Sequence, residues 1–221
     1  MNQVNFKPCN VEYIDHMGSD VSVVNAARVS FNKEVKELND ADEKLLRFLA
    51  KHDHWSPFAH TCLQLRVTAP IFLARQFVKH CVGGVWNEIS RRYVHDEVSF
   101  FMPNSWREKP INMKQGSGDD SDEQVNEKAN SILEMLSHTS LDAYNRFIEM
   151  GIAPEQARMI LPQNMMTQWY WSGSLAFWHR VYHLRIDSHA QKEAQDIASK
   201  IGEICIEHYP KSWDALTTHT R

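Results

Sequence analysis

The chain has 221 residues, of which 43% are hydrophobic and 24% are charged, and its formal net charge is -4 at pH 7. This length can form one sizeable core or two small ones, and the negative charge argues against a general nucleic-acid binder, which usually carries a basic surface. No run of about 20 apolar residues predicts a membrane span. The four cysteines are widely spaced and form no CxxC pair. We therefore expect a cytoplasmic globular protein without a disulfide framework or a zinc ribbon.

The first quarter of the chain predicts one strand and two helices. Apolar residues favour a strand over residues 9–16, which ends at a glycine turn. Ser19 or Asp20 can cap the first helix, and Asn39 or Asp40 can open the second.

Three histidines fall within residues 52–60, and imidazole is a common metal ligand. Their spacing matches no helical His-x-x-x-His pair, and no carboxylate or thiolate set completes a coordination shell. We therefore predict no metal site in this segment.

The most informative stretch, residues 72–93, follows a half-buried strand that apolar and polar alternation predicts over residues 61–68. It begins as a helix, breaks at Gly83-Gly84 and continues as Asn-Glu-Ile-Ser-Arg-Arg-Tyr. A glycine turn followed by a carboxylate, a hydroxyl and two guanidiniums suits an anionic, planar ligand. Taken alone, the same residues fit a solvated surface loop slightly better.

The remainder of the chain is predicted to be mainly helical. A short strand is expected over residues 98–103, and a polar, mobile loop over about 105–123. A long amphipathic helix then covers about 122–150, a helix beginning at Pro154 carries Arg158, and a strand covers 165–171. The last two helices are expected from 172 or 173 to 183 and from Ser188 to about 208. No internal repeat is visible, so we predict a single α+β domain over 1–221, with a small sheet flanked by long helices.

Residues 87–93 resemble the second half of the signature of the flavin-dependent thymidylate synthases, Asn-Glu-x-Ser-x-Arg-Tyr. The first half of that signature, Arg-His-Arg, reads Lys-His-Cys at positions 79–81, with one extra residue before Asn87. Residues 157–162 and 184–191 match a second pair of motifs, and their two arginines keep the family's separation. The resemblance covers nearly the whole chain, which is identified as a member of this family.

The resemblance implies an enzyme that methylates dUMP to dTMP, with FAD as hydride carrier, methylenetetrahydrofolate as carbon donor and NADPH as reductant. It also implies a homotetramer with shared active sites, and neither nucleic acid nor membrane as a partner. Two alternatives stay open: a dUMP hydroxymethylase on the same fold, and a non-catalytic nucleotide-binding homologue that has lost the flavin. No cysteine lies in the Pro-Cys-Gln segment of the classical thymidylate synthases, so a cysteine nucleophile is not supported.

Carried over by position, the resemblance implies that Arg185 is catalytic, because its permanently charged fork can stabilise an ionised uracil. Arg158 would reach the nucleotide from a neighbouring subunit. The positions implied to bind dUMP are Gln76, Lys79, Glu88, Ile89, Ser90, Arg91, Arg92, Arg158 and Arg185. The positions implied to bind the cofactor are His54, Ser56, Lys79, His80, Cys81, Glu88, Ser174, Arg180 and His189. Departures from the family pattern at Ala59, Cys81, Ser174, Ala176 and Arg180 lead us to expect redistributed flavin contacts.

Overall fold

The computed structural model describes residues 4–94, 97–110 and 116–219. The chain divides into two compact units. The first unit takes its described residues from Met1–Asn10, Thr68–Phe77 and Glu88–Trp169, and the second from Val11–Val67, Val78–Asn87 and Tyr170–Arg221. That the chain is a single domain stays a prediction.

Short strands and longer helices make up both units. The strands are β1 (Asn5–Phe6), β2 (Asn10–Met17), β3 (Cys62–Pro70), β4 (Gly84–Glu88), β5 (Ser99–Phe100) and β6 (Met166–Gly173). The helices are α1 (Asp20–Arg28), α2 (Asp40–Lys51), α3 (Ile71–Phe77), α4 (Glu123–Glu149), α5 (Pro154–Ala157), α6 (Leu175–Ile186), α7 (Lys192–His208) and α8 (Pro210–Thr218). Short 3-10 turns cover Val29–Phe31, Ser56–His60 and Arg158–Ile160. The predicted α+β class is confirmed.

The first unit is built around the long helix α4. The Asp122 side chain caps this helix by accepting a hydrogen bond from the backbone N–H of Val125. Strand β1 pairs in parallel with β5, placing Phe6 opposite Phe100. A core cluster packs beside them and consists of Val98, Phe100, Leu141, Tyr144, Ala157 and Met165. Burying the valine, leucine, phenylalanine and methionine side chains of this cluster stabilises the fold by about 1.5–3 kcal/mol each.

The second unit contains most of β2, the first part of β3, most of β4 and the last part of β6, together with the helices α1, α2, α6, α7 and α8. In the sheet the strand order is β2-β3-β6-β4. The alternation that predicted β3 is confirmed, because Leu63 and Leu65 are fully buried while Gln64 is only partly so. The buried indole of Trp178 on α6 donates from Nε1 to the Leu63 carbonyl at 3.1 Å, which fixes that helix against the strand.

Most predicted elements appear within three residues of their expected bounds, but four differ. The helix predicted to break at Gly83-Gly84 already ends at Phe77. Residues after Gly83 form β4 rather than a surface loop. Arg158 lies in a 3-10 turn rather than in an α-helix. The helix expected to begin at Ser188 begins at Lys192, because the Asp187 carboxylate accepts the backbone N–H of His189 and holds this segment in a turn.

Two further details qualify the prediction for the C-terminal part of the chain. The helix predicted to end near residue 208 does end there, yet α8 follows it, starting at Pro210. In α4 the predicted apolar stripe is buried only in its second half, since Ile132 and Leu136 are 54% and 49% exposed.

The predicted mobile loop includes residues 111–115, which lie outside the described residues. On either side of them the backbone is paired. The N–H of Glu108 donates to the Asp119 carbonyl at 2.9 Å, and the N–H of Gly118 donates to the Glu108 carbonyl at 2.8 Å. Mobility of this loop stays a prediction. Within residues 4–94, 97–110 and 116–219, no helix combines the length and apolar character that crossing a bilayer requires.

Candidate functional site

A tight turn before β4, residues 78–84 of the second unit, requires glycine at two positions. Gly83 has a φ of +81°, in the left-handed region that glycine adopts without a steric penalty. Gly84 lies against the aromatic ring of Phe177, where an added Cβ would come within 2.4 Å of a ring carbon. The glycine pair therefore permits both the turn and a close approach to helix α6.

Two arginines on α6 hold this turn. The Arg180 Nη2 donates to the carbonyl oxygen of Val82 at 2.6 Å. The Arg185 Nε donates to Nε2 of His80 at 3.0 Å. The side chains of one helix thus contact the turn at two points, and both bring a positive charge to it.

Burial and the neighbouring charges together determine the protonation state of His80. Burial lowers the pKa of His80 to about 4, and the nearby positive charges of Arg185 and Arg180 contribute to this shift. Burial also lowers the pKa of Arg185, whose guanidinium nevertheless remains charged at neutral pH. The imidazole is therefore neutral at physiological pH while the two guanidiniums beside it are cationic.

Aromatic rings pack beside this turn in the second unit. Trp171 contacts Trp86, Phe177 and Trp178 edge to face, at centroid distances of 5.3, 5.4 and 5.0 Å. Its ring centroid lies 6.4 Å from that of His80. Trp171 is fully buried. Met165, Met166, Trp169 and Trp171 are all buried, so these side chains form part of the core.

In the first unit, residues implied to bind dUMP lie in and after the end of β4. The Glu88 carboxylate accepts a hydrogen bond from the Thr167 hydroxyl at 2.7 Å. The backbone N–H of Ile89 donates to the Gln168 carbonyl at 2.9 Å, so this N–H is already used within the fold. These bonds fix the backbone that leads into the following turn.

Ser90, Arg91 and Arg92 form that turn. The Ser90 hydroxyl accepts from the backbone N–H and from Nε of Arg92, at 3.3 and 3.2 Å. Arg92 is exposed, and its guanidinium stacks over the ring of Tyr93 at 5.1 Å from the centroid. Arg91 instead is 9% exposed, and its Nη2 donates to the Glu97 carbonyl at 3.3 Å. Arg92 therefore presents a preorganised, accessible guanidinium, whereas Arg91 contributes to the internal packing.

Other implied site residues have local structural contacts. Ser174 caps α6 by accepting from the backbone N–H of Phe177 at 3.3 Å. His189 Nδ1 lies 2.9 Å from the Asp187 carboxylate, and hydrogen bonds from His189 lower the pKa of that exposed carboxyl group. Arg158 is exposed and donates from Nε to the Glu155 carbonyl at 3.3 Å within its own turn.

The remaining implied residues are mostly accessible. His54 and Ser56 are exposed, and the His54 ring contacts Phe48 edge to face at 5.9 Å. Lys79 and Cys81 are exposed members of the glycine turn, and Gln76 is partly buried on α3. Among the residues that the structure describes, no group of three or more His, Cys, Asp or Glu side chains has the arrangement of a metal site.

The structure therefore assembles two groups of side chains, one in each unit. His80, Arg180 and Arg185 come together in the second unit, and Glu88 joins the Ser90–Arg92 turn in the first. The sequence did not predict the bond between Arg185 and His80, the clamp of Arg180 on Val82, or the Glu88 contact with Thr167. These partners lie 79 or more positions apart, so no local pattern could have indicated them.

Comparison with known proteins identifies relatives over most of the chain. The family model described as thymidylate synthase complementing protein matches residues 12–211. A flavin-dependent thymidylate synthase from Thermosipho africanus is 38% identical over 203 residues, covering 92% of this chain and 88% of its own. Another, from Thermus thermophilus, is 36% identical over 212 residues, covering 95% of this chain and 76% of its own.

A solved structure shows the same fold. The UMP/dUMP methylase PolB from Streptomyces cacaoi, bound with 5-Br dUMP, superposes with a TM-score of 0.88 at 26% identity. The match covers 98% of this chain and 97% of that one.

Proposed function

The chain belongs to the flavin-dependent thymidylate synthase family, and from that premise we propose that it methylates dUMP reductively to dTMP. It is an enzyme of the methyltransferase class. The proposed carbon donor is methylenetetrahydrofolate, and the proposed reductant is NADPH. A flavin, which we propose to be FAD, supplies when bound the hydride that reduces the transferred carbon to a methyl group.

The single observation that carries this proposal is the convergence of two guanidiniums on the glycine turn of the second unit. Arg180 and Arg185 bond to Val82 and to a neutral His80, so their positive charges lie together at the turn. Fixed cations and packed aromatic rings suit a ligand that is both anionic and planar, as a flavin nucleotide is. The two guanidiniums and the neighbouring aromatic rings therefore fit a flavin nucleotide.

We propose that Arg185 stabilises the negative charge of the ionised uracil ring, the form in which C5 is nucleophilic enough to attack the carbon donor. A preorganised donor of fixed charge is effective for this task because it needs no reorganisation as the charge forms. The permanent charge of arginine also makes it a poor proton donor, so it stabilises an anion without transferring a proton to it.

The phosphate of dUMP is proposed to bind Arg92, supported by the exposure of its guanidinium and by its hydrogen bonds to Ser90. Arginine forks match phosphate oxygens in geometry as well as in charge. Gln76, Lys79 and the Glu88-Ile89 backbone remain proposed dUMP contacts. Arg91 is a weaker proposal, because its side chain is buried and bonds to the Glu97 carbonyl.

The flavin is proposed to bind the second-unit cluster around His80, Cys81 and Arg180, together with Lys79. His54, Ser56 and His189 stay proposals for this role, supported by their exposure. Ser174 stays one as well, although its hydroxyl caps α6. Glu88 stays a proposed contact, with its carboxylate already bonded to Thr167.

We also propose a homotetramer in which Arg158 completes a site of a neighbouring subunit. The exposed side of α4 supports an assembly, because Val125, Ile132, Met135 and Leu136 are each between 47% and 58% exposed. Exposed apolar patches of this kind commonly mark surfaces that another protein covers. The exposed guanidinium of Arg158 is accessible to such a partner.

Anaerobic reduction of the purified protein's flavin by NADPH, with and without dUMP, tests the proposed function. We expect bound flavin and a reduction rate that changes when dUMP is added, because substrate and cofactor share a reaction centre. A colourless protein that binds dUMP would support the non-catalytic alternative instead.

A further inference from the structure

A hydrogen bond joins Arg185, the proposed catalytic residue, to His80, which belongs to the motif proposed to bind the flavin. Nε of Arg185 donates to Nε2 of His80 at 3.0 Å, across 105 positions of sequence. Both residues belong to the second unit, and the bond is partly buried. Arg185 lies in the last turn of α6, and this bond gives its long side chain a defined contact.

The direction of this bond specifies the state of the imidazole. Because Nε2 accepts, the ring must be neutral and must carry its proton on Nδ1. A protonated imidazolium would have a donor at both nitrogens and would repel the guanidinium. The charged groups that act on the ring are Arg185 and Arg180, both from α6, and burial together with their charges lowers the pKa of His80 to about 4.

The bond at Nε also determines where the other N–H groups of Arg185 point. The guanidinium is planar, so fixing its Nε–H direction also fixes the plane and the direction of the Nη1 and Nη2 groups. A donor acts on a transition state only if it already points to where charge develops. His80 therefore has the position and the protonation state needed to preorganise Arg185.

We propose that His80 is a positioning residue: its neutral imidazole accepts the Arg185 Nε–H and so orients the guanidinium toward the uracil ring. This role differs from the proposed contact of His80 with the flavin, and one imidazole ring can serve both. The inference rests on the proposed function, in which Arg185 stabilises the ionised uracil.

Three substitutions separate the positioning role from the packing of the ring. His80→Gln keeps an acceptor near the position of Nε2, His80→Asn carries the same amide one methylene short, and His80→Leu has no acceptor. Displacing a reacting group by about 1 Å costs about 100-fold in rate. We expect kcat per bound flavin to fall about 100-fold in His80→Leu and His80→Asn, and His80→Gln to recover most of this loss. Similar losses in all three variants would overturn the proposal.

A spectroscopic measurement tests the bond itself without relying on turnover. In protein labelled with nitrogen-15 at arginine, the Nε–H of Arg185 is expected to exchange slowly with water, and its signal can be assigned by its loss in Arg185→Lys. The slow exchange should persist in His80→Gln and disappear in His80→Leu. Slow exchange that survives in His80→Leu would contradict the proposal.

The two measurements also separate this inference from the proposed function. If the wild-type protein forms no dTMP, the proposed function fails, while the exchange of the Arg185 Nε–H still shows whether His80 holds the guanidinium. If dTMP forms normally and His80→Leu keeps the wild-type kcat per bound flavin, the function stands and the positioning role fails.

Discussion

Arg180 donates from Nη2 to the carbonyl oxygen of Val82 at 2.6 Å, one residue after the cysteine that stands where the family signature has its second arginine. The guanidinium missing at Cys81 is thus matched by one that reaches the same turn from α6. This contact gives a physical basis for the redistributed flavin contacts expected from the sequence.

Removing the Arg180 charge is therefore expected to weaken flavin binding. The variant Arg180→Met keeps much of the side-chain volume but removes the positive charge that we propose faces the anionic flavin, and a hydrogen bond to a charged group contributes about 1.5–3 kcal/mol. The dissociation constant of the flavin, measured by fluorescence titration, should rise about tenfold or more. Arg47→Met is the matched control, because Arg47 forms an exposed ion pair with Asp214 that contributes little. Equal affinities in the two variants would refute a flavin role for Arg180.

Replacing Arg185 by lysine is expected to reduce turnover while the flavin stays bound. Lysine keeps the charge but has no planar fork and no Nε–H positioned to reach His80. Loss of one transition-state donor typically costs roughly 100- to 1000-fold in rate. The ratio of bound flavin to protein, read from its absorbance, is the control for folding and loading. A parental turnover rate in Arg185→Lys would rule out this residue as the uracil-stabilising group.

The close contact between Gly84 and Phe177 predicts a specific loss of stability. In Gly84→Ala the new Cβ would lie 2.4 Å from the ring, which forces a shift of α6 or of the turn. Overpacking of this kind costs about 1–3 kcal/mol in the free energy of unfolding, measured here by urea denaturation. The double variant Gly84→Ala/Phe177→Leu should lose less than the sum of the two single variants, because the smaller side chain relieves the clash. Additive losses would show that the contact is not the cause.

The lowered pKa of His179 predicts how the free energy of unfolding depends on pH. Burial lowers the pKa of His179 from about 6.5 to about 4, and its ring packs edge to face on Trp213 at 6.1 Å. Between these two values the unfolded chain binds a proton that the folded chain excludes. The contribution of His179 to stability is therefore fully present above pH 6.5 and is lost as the pH drops toward 4.

The variant His179→Gln cannot take up this proton. The pH dependence of its unfolding free energy between about pH 4.5 and 6 should therefore decrease, by up to about one proton per molecule. The exposed His52→Gln variant provides the comparison. An unchanged slope in His179→Gln would contradict the assignment of a buried, neutral ring.

Local sequence patterns predicted a large part of the fold. The Asn39 cap of α2 appears as expected, with its side chain accepting from the N–H groups of Ala41 and Asp42. The alternation in β3 was visible because a half-buried strand has a period of two residues. Strand β4 was not predicted, since its residues between Gly84 and Glu88 are mostly exposed and carry no apolar alternation.

The candidate site could be predicted only as a set of positions. The motif gave His80 and Arg185 as members, but no periodicity relates residues 105 positions apart, so their bond was not predictable. The amphipathic helix predicted over about 122–150 is confirmed as α4, but a periodicity shows which face is apolar and not what covers it, and half of this apolar face is exposed.

The mass of the nucleotide product tests the central proposal most directly. Flavin-loaded protein is incubated anaerobically with dUMP, methylenetetrahydrofolate and NADPH, and both the nucleotide and the intact protein are analysed by mass spectrometry. We predict dTMP as the product, no covalent adduct with 5-fluoro-dUMP at Cys81, and continued dTMP formation by Cys81→Ser. The central proposal would be contradicted by a 5-hydroxymethyl-dUMP product or by no product. It would also be contradicted by an adduct at Cys81 together with an inactive, flavin-loaded Cys81→Ser protein.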